Sequence, residues 1–479
     1  MLEKVFKLKS NGTTVRTELM AGLTTFMTMA YIIALNPNLL TNFGAEGTEL
    51  WNGVFMATCI ASAVGMFCMA FIANKPFALA PGMGLNSFFA VVVGNIVTMT
   101  GMTYVESFQS ALIIILAEGI VFIVLSLFNV REKIVESIPL GIRLGISPAI
   151  GLMLMNIGLG SNVSIYAAGN NFESPFFVMR DFFGALTPSV LQTAMGAEGY
   201  ATMILSTITM FVGLFVIIAM DKKGVKGAVL IGMLVASVVY WAGSFLFLNT
   251  NPFASLATAF FLPPVKDMVD TTLFKFNFAG FMEIGWFTII TLVITFCIID
   301  MFDTIGTLVG TASRAGMVDE NGNMPNMKEA LLSDAVGTIA GACTGTSTVT
   351  TFVESAAGVE AGGRTGLTTL ATGVLFLACI FIAPIAAIIP AAATSSALIY
   401  VGVLMLQGLS KVDFKDMDQM VPVFLMLLAM PVSGSIGHGI GLGLIAYTII
   451  KIFSGKFKEV SILTYVISAL FIVKFFLVV

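Results

Sequence analysis

Charge is what this sequence has least of. Of its 479 residues only 10% are Asp, Glu, Lys or Arg, 57% are hydrophobic, and the mean hydropathy is +0.99. A soluble chain carries about a quarter of its residues charged. A chain this poor in charge cannot cover its own surface with polar groups, which excludes a soluble globular protein. Histidine is nearly absent. His438 stands alone after a Gly-rich break; one imidazole is no metal site, and a loop or helix-end role fits it better than catalysis. Cysteine is scarce and odd in number. Cys59, Cys68, Cys297, Cys343 and Cys379 all fall in apolar segments without ligand spacing, so neither a disulfide framework nor a zinc site is expected. A cleavable signal pattern is missing too: Met1 to Arg16 is charged and lacks an apolar core. The net charge of −4 sits in loops and says little; no nucleic-acid partner is expected.

What the sequence does have is long apolar runs. They fall near 19–40, 54–73, 83–98, 107–128, 144–160, 201–220, 227–248, 287–311, 330–343, 352–360, 367–389, 394–409, 420–433 and 438–453. A helix needs about 20 residues to cross a bilayer, so 83–98 and 352–360 are short for whole spans. A last run, 460–479, is either a fifteenth span or a helix packed on the others. Starting the N-terminus in the cytoplasm and alternating through fourteen spans places nineteen of the 23 basic residues inside, as the positive-inside rule requires. Only Arg180, Lys266 and Lys275 then fall outside, with Lys474 in the terminal run.

The halves echo each other. Leu154-Met-Asn-Ile-Gly-Leu159 matches Leu404-Met-Leu-Gln-Gly-Leu409, and the pairs Ile138-Pro139 and Ile389-Pro390 precede them. Both fall at the fifth span of a set of seven. Seven is odd, so the second set is inverted in the membrane, a common build of secondary transporters. The expected fold is an all-α polytopic membrane protein of 14 transmembrane segments in two inverted repeats of seven, with short extended stretches in spans 3 and 10.

Those stretches are written in residue types. Pro76, Pro81, Gly82 and Gly84 interrupt the third span. Thr344, Thr346, Ser347, Thr348, Thr350 and Thr351, with Gly345, favour an extended chain before the tenth. Each reads as a short extended piece followed by a half-helix, a backbone that survives at membrane depth only inside protein or beside a watery cavity. The alternative is that Gly and Pro only allow close helix packing; the matching positions in both halves favour a binding site.

The carboxylates carry the chemistry. Asp300 and Asp303 share one face of the eighth span, and Thr304, Thr307 and Thr311 extend that polar stripe. Gly306 and Gly310 give a small-residue surface on another face. Glu354 opens the half-helix of span 10, and no Lys or Arg lies at comparable depth; Arg314 and Arg364 read as cytoplasmic. An ionisable group at the bilayer centre costs about 2.5–3.5 kcal/mol on insertion scales, which makes it a functional candidate. Three acids without a base cannot all be comfortably ionised, so a proton or a cation belongs among them. For Asp300 a purely structural hydrogen bond is an equal alternative. Glu118 reads as an acid packed on a polar neighbour, Asn156 and Gln407 as amides joining helices, and Asp334 as a helix-start residue with no substrate role.

The stretches APGMGLNSFFA (80–90), DMFDTIGT (300–307) and TSTVTTFVESAAGVEAGGRTGLT (346–368), with TTVRTELMAGLTTFMTMAYIIALNP (13–37), resemble the nucleobase/ascorbate transporter family, most of all its AzgA-like branch of hypoxanthine–guanine–adenine permeases. The resemblance covers nearly the whole chain. It implies a core domain (17–130 and 285–390, spans 1–4 and 8–11), a gate domain (131–250 and 391–455, spans 5–7 and 12–14) and a C-terminal apolar segment (456–479). It implies import of a purine base by proton symport through the cytoplasmic membrane, no cofactor beyond the proton gradient, and a homodimer. Asp303 and Glu354 would contact the base, Asp300 would be the branch's second acid, Asn86 a polar contact on span 3, and Phe88 and Val353 backbone contacts. Asp300, Asp303 and Glu354 would share the proton coupling. Thr307 stands where uracil carriers have a histidine, which argues against pyrimidines. A flat base with N–H donors suits a carboxylate that accepts two at once and an amide that donates and accepts; a face of Phe88 or Phe352 is available for stacking. The rivals are a same-fold anion carrier, disfavoured by three buried acids, sodium instead of proton coupling, a passive channel, and an intramembrane aspartyl protease, disfavoured because Asp300 and Asp303 share one helix.

Overall fold

In this computed structural model the described residues are 2–42, 45–128, 139–160, 163, 167–168, 180–181, 188–254, 256, 262–314, 317, 324–433 and 436–477. Arg131, Lys133 and Ile138 lie outside them, and the side chains of Gly306, Gly310 and Arg314 are not among those described. The apolar runs form helices almost throughout. The principal ones are α1 (Val15–Met29), α2 (Ile32–Leu40), α3 (Thr48–Cys68), α4 (Met83–Thr100), α5 (Tyr104–Leu127), α6 (Leu140–Leu159), α7 (Pro188–Lys222), α8 (Ala228–Phe247), α9 (Trp286–Arg314), α10 (Met327–Thr344), α11 (Ser355–Glu360), α12 (Gly366–Ala378), α13 (Ala391–Met405), α14 (Met417–Ser433), α15 (Ile436–Phe453) and α16 (Ile462–Leu477). Among the described residues ten helical segments are long and apolar enough to cross a membrane, α1 and α2 together making the first. Large apolar side chains such as Phe215, Phe245 and Leu246 face outward, as lipid contact demands, while the carboxylates of Glu18, Glu118, Asp300 and Asp334 are fully buried. The protein is a multi-pass, predominantly helical membrane protein.

The expected extended stretches are present. α3 runs into a π-helical turn, Met69–Ala73, and stops at Asn74 in the left-handed region (φ 51). The chain then extends as β1 (Leu79–Pro81) before α4 begins. α10 ends at Gly345 (φ +107), where a β-carbon would overlap Thr272, so glycine is required. The following chain extends as β2 (Val349–Thr351) before α11. β1 and β2 pair antiparallel, Leu79 opposite Thr351 and Pro81 opposite Val349. The ladder is prolonged by Gly82 N–H to Thr348 O (3.1 Å) and Phe352 N–H to Ala78 O (2.9 Å). Backbone polar groups that lipid could not serve are thereby satisfied inside the protein.

The helices sort by packing. α1–α5 and α9–α12 pack on one another, most closely α3 and α5 on α10 and α1 on α12. α6, α7, α8, α13, α14 and α15 form a second group, with α6 against α13 and α14. Contacts between the groups are sparse. The Asn156 amide joins helices as expected, donating to Pro431 O at 3.0 Å. The terminal run forms α16, packed on α15 and α9. Phe471 and Phe475 cover Gly441 there, and the His438 ring, in the first turn of α15, meets Phe475 edge-on at 5.6 Å.

Candidate functional site

The β1–β2 crossing brings the two half-helix starts together, and the carboxylates gather around it. Asp303 comes from α9, with its Oδ2 within 3.4 Å of where a Gly82 β-carbon would stand. It lies within electrostatic reach of both Asp300 and Glu354. Glu354 is the residue just before α11, so the interruption of span 10 carries it to the same place. Asp303 and Glu354 are half-buried, whereas Asp300 and Asn86 are wholly enclosed. The front of the site is thus two accessible acids, backed by a closed polar layer.

That layer is densely bonded. The Thr304 hydroxyl lies 2.9 Å from Asp300 Oδ1, 3.1 Å from both carboxylate oxygens of Asp334, and 2.7 Å from the Thr350 hydroxyl of β2. Thr348 donates to Glu118 Oε2 at 2.6 Å. Helices α5, α9 and α10 and the β2 stretch are therefore tied through carboxylates and threonines. Asp334 corrects the sequence reading: it lies two turns inside α10, far from any cap, and faces Asp300 across Thr304. The helix begins at Met327, earlier than the polar-to-apolar transition suggested.

The other expected residues take definite places. The Asn86 side chain donates to Pro81 O at 3.1 Å and receives the Ser347 hydroxyl, so it braces the crossing from within. Phe88 lies more than a turn into α4, where its amide belongs to the helix ladder, and its ring packs on Phe296 at 4.6 Å. The open amides at that helix start are those of the first turn, from Met83. Val353 is 54% exposed and its carbonyl receives the Ala356 N–H at 3.0 Å. Phe352 is 5% exposed, with little ring face to offer a ligand. One residue escaped the sequence reading altogether. Tyr31, buried between α1 and α2, donates its phenol to Glu354 Oε1 at 2.7 Å. The one signal in the sequence was a hydroxyl-bearing aromatic inside an apolar run.

A sequence profile of the Permease family, the xanthine/uracil permeases, matches residues 16–433. The chain belongs to that family. It is a transport protein and not an enzyme. This permease is 36% identical to the adenine permease AdeP of Escherichia coli (strain K12), over 99% of its own length and 96% of AdeP. It is 37% identical to the guanine/hypoxanthine permease PbuO of Bacillus subtilis (strain 168), over 99% of its length and all of PbuO. Among solved structures, the transmembrane domain of the cyanobacterial bicarbonate transporter BicA shares the fold. The TM-score is 0.62 at 15% identity, covering 88% of the permease and 97% of that chain.

Proposed function

We propose that this permease imports purine bases across the cytoplasmic membrane by proton symport. The observation that carries the reading is that α9, which bears Asp303, packs on β2 and α11, at whose junction the half-buried Glu354 stands. Two such acids suit the N–H edges of a neutral flat base, and the first-turn amides of α4 suit its acceptors. The adenine and guanine/hypoxanthine permeases it resembles over their whole lengths supply the substrate class. The bicarbonate carrier's fold does not transfer its cargo, because among the described residues no Lys or Arg forms an ion pair with these acids.

The proton has a place in this reading. A threonine hydroxyl carries one hydrogen, yet Thr304 stands within bonding distance of both Asp300 and Asp334. It can donate to one; the contact with the other is favourable only if that carboxyl brings its own hydrogen. The bridge is complete with one added proton.

In this reading the fourteen spans are the ten long apolar segments, helices α9, α10 and α14, and the β2–α11 unit. In this reading a core (17–130, 285–390) rocks against a gate (131–250, 391–455), a division that the two packing groups of the described helices support. The gate is held by a second copy, and the N-terminus is cytoplasmic. Asp303→Ala and Glu354→Gln should each abolish uptake of labelled hypoxanthine or guanine with the protein still inserted. Full uptake in both would overturn the site. A protonophore should stop accumulation; accumulation that survives it and requires sodium would overturn the coupling.

A further inference from the structure

We propose that Tyr31 is a positioning residue for purine binding, holding the Glu354 carboxylate in the plane that receives the base. The inference rests on the reading of Glu354 as a substrate carboxylate.

The first span winds tighter at Tyr31. Ile33 N–H bonds Ala30 O at 3.2 Å and Ala34 N–H bonds Tyr31 O at 3.3 Å, three residues back where a regular helix reaches four. Across this tightened turn Thr28 and Tyr31, three apart on one face, both meet Glu354. The Thr28 hydroxyl lies 3.4 Å from the Glu354 carbonyl, and the Tyr31 hydroxyl lies 2.7 Å from Oε1. Tyr31 is wholly buried and Glu354 half-buried, so the bond is made from the protein side and the carboxylate's other side stays accessible.

The chemistry follows from the donor count. The phenol occupies one lone pair of Oε1 and the residue's own backbone N–H engages the carboxylate as well, which leaves two of its four lone pairs. A Glu side chain has three rotatable bonds, and a rigid buried donor removes most of that freedom. The carboxylate plane is then preset for two parallel N–H donors. Guanine presents such a pair, its N1–H and 2-amino group, on one edge. Hypoxanthine presents one donor on that edge. Freeing the carboxylate should therefore harm guanine more.

The test uses the full-length protein in cells without other purine uptake, with labelled guanine and hypoxanthine. Tyr31→Phe keeps the ring and removes the donor. It should raise KM for guanine about tenfold, the scale of one charge-assisted hydrogen bond. KM for hypoxanthine should rise less, and Vmax should stay within about twofold. In a Glu354→Asp background, whose shorter side chain retreats from the phenol, the same change should alter KM by less than about twofold. Equilibrium binding of labelled guanine to purified protein gives the same ratios independently of the amount inserted. An unchanged KM, or an equal factor in both backgrounds, overturns the proposal. If Glu354→Gln itself transports like the wild type, the reading of the site fails instead.

Discussion

Gly82 lies against Thr350 so closely that a β-carbon on the glycine would overlap the threonine's Cγ2 and stand 3.4 Å from Asp303 Oδ2. Gly82 stands at the end of the β1–β2 ladder, just before α4, and Thr350 in the middle of β2. Thr350 is buried and its hydroxyl is engaged by Thr304, so its methyl group has nowhere to go. Gly82→Ala should therefore spread the crossing and cut uptake at least about tenfold, the scale of a small misplacement at a site that positions its ligand. Thr350→Ser removes the colliding methyl and keeps the hydroxyl. The double variant Gly82→Ala/Thr350→Ser should recover most of the lost uptake. Absence of rescue would mean that the glycine is needed for something other than room.

Asn86 and Ser347 give a second test of the same crossing, because the structure uses the amide as a brace. Asn86→Ala strands the Ser347 hydroxyl and the Pro81 carbonyl in a buried place, at a cost of about 1–3 kcal/mol for each group left unsatisfied. It should lower the thermal stability of the purified protein and Vmax, more than Ser347→Ala does, with KM nearly unchanged. A tenfold rise in KM at wild-type stability would instead make Asn86 a direct contact to the base.

The motif EAGGRTGLT (360–368) finds its reason outside the site. The Glu18 carboxylate, on the first span, accepts from the backbone N–H groups of Arg364, Thr365 and Thr368 and from the hydroxyls of Thr365 and Thr368, at 2.7 to 3.2 Å. It serves the start of α12 as a cap supplied from another helix. The Arg364 guanidinium donates to the carbonyls of Val359 and Gly363 at 2.7 and 2.8 Å, closing off the end of α11. Charge-assisted hydrogen bonds are worth about 1.5–3 kcal/mol each, though not additively. Glu18→Ala should lower the melting temperature of the purified protein by several degrees, with KM of the surviving protein unchanged; Glu18→Gln should fall between. Unaltered melting in both would remove Glu18 from the list of fasteners.

What the sequence disclosed and what it hid divide along a physical line. The breaks in spans 3 and 10 were legible because Pro81, Gly82 and the threonines around Val349 act locally, on their own backbone. Asp303 and Glu354 were legible because a carboxylate in an apolar run is costly wherever it points. Glu118 was read as needing a polar neighbour, but Thr348 lies 230 positions away, and no local pattern names it. Asp334 was misread because the chain turns apolar near it, whereas the helix starts at Met327. Tyr31 was invisible for the opposite reason: its ring suits an apolar helix, and only the fold shows what its hydroxyl meets.

The Thr304 bridge yields the sharpest prediction about coupling. Asp334→Asn replaces one of the two bridged acids by a group that cannot take up or release a proton, at nearly the same size, and it can still bond Thr304. If the Asp300–Thr304–Asp334 unit carries the symported proton, the variant should lose accumulation of purine against a gradient. It should still exchange external labelled purine for internal unlabelled purine, since exchange needs no net proton movement. Thr304→Val should behave alike but with lower stability, because it leaves two buried acids without their shared hydroxyl. Reconstituted vesicles with an imposed pH difference read the first quantity, and counterflow at equal pH reads the second. Loss of both in Asp334→Asn would make the residue a structural strut, and retention of both would place the proton on Asp303 or Glu354 beside the base.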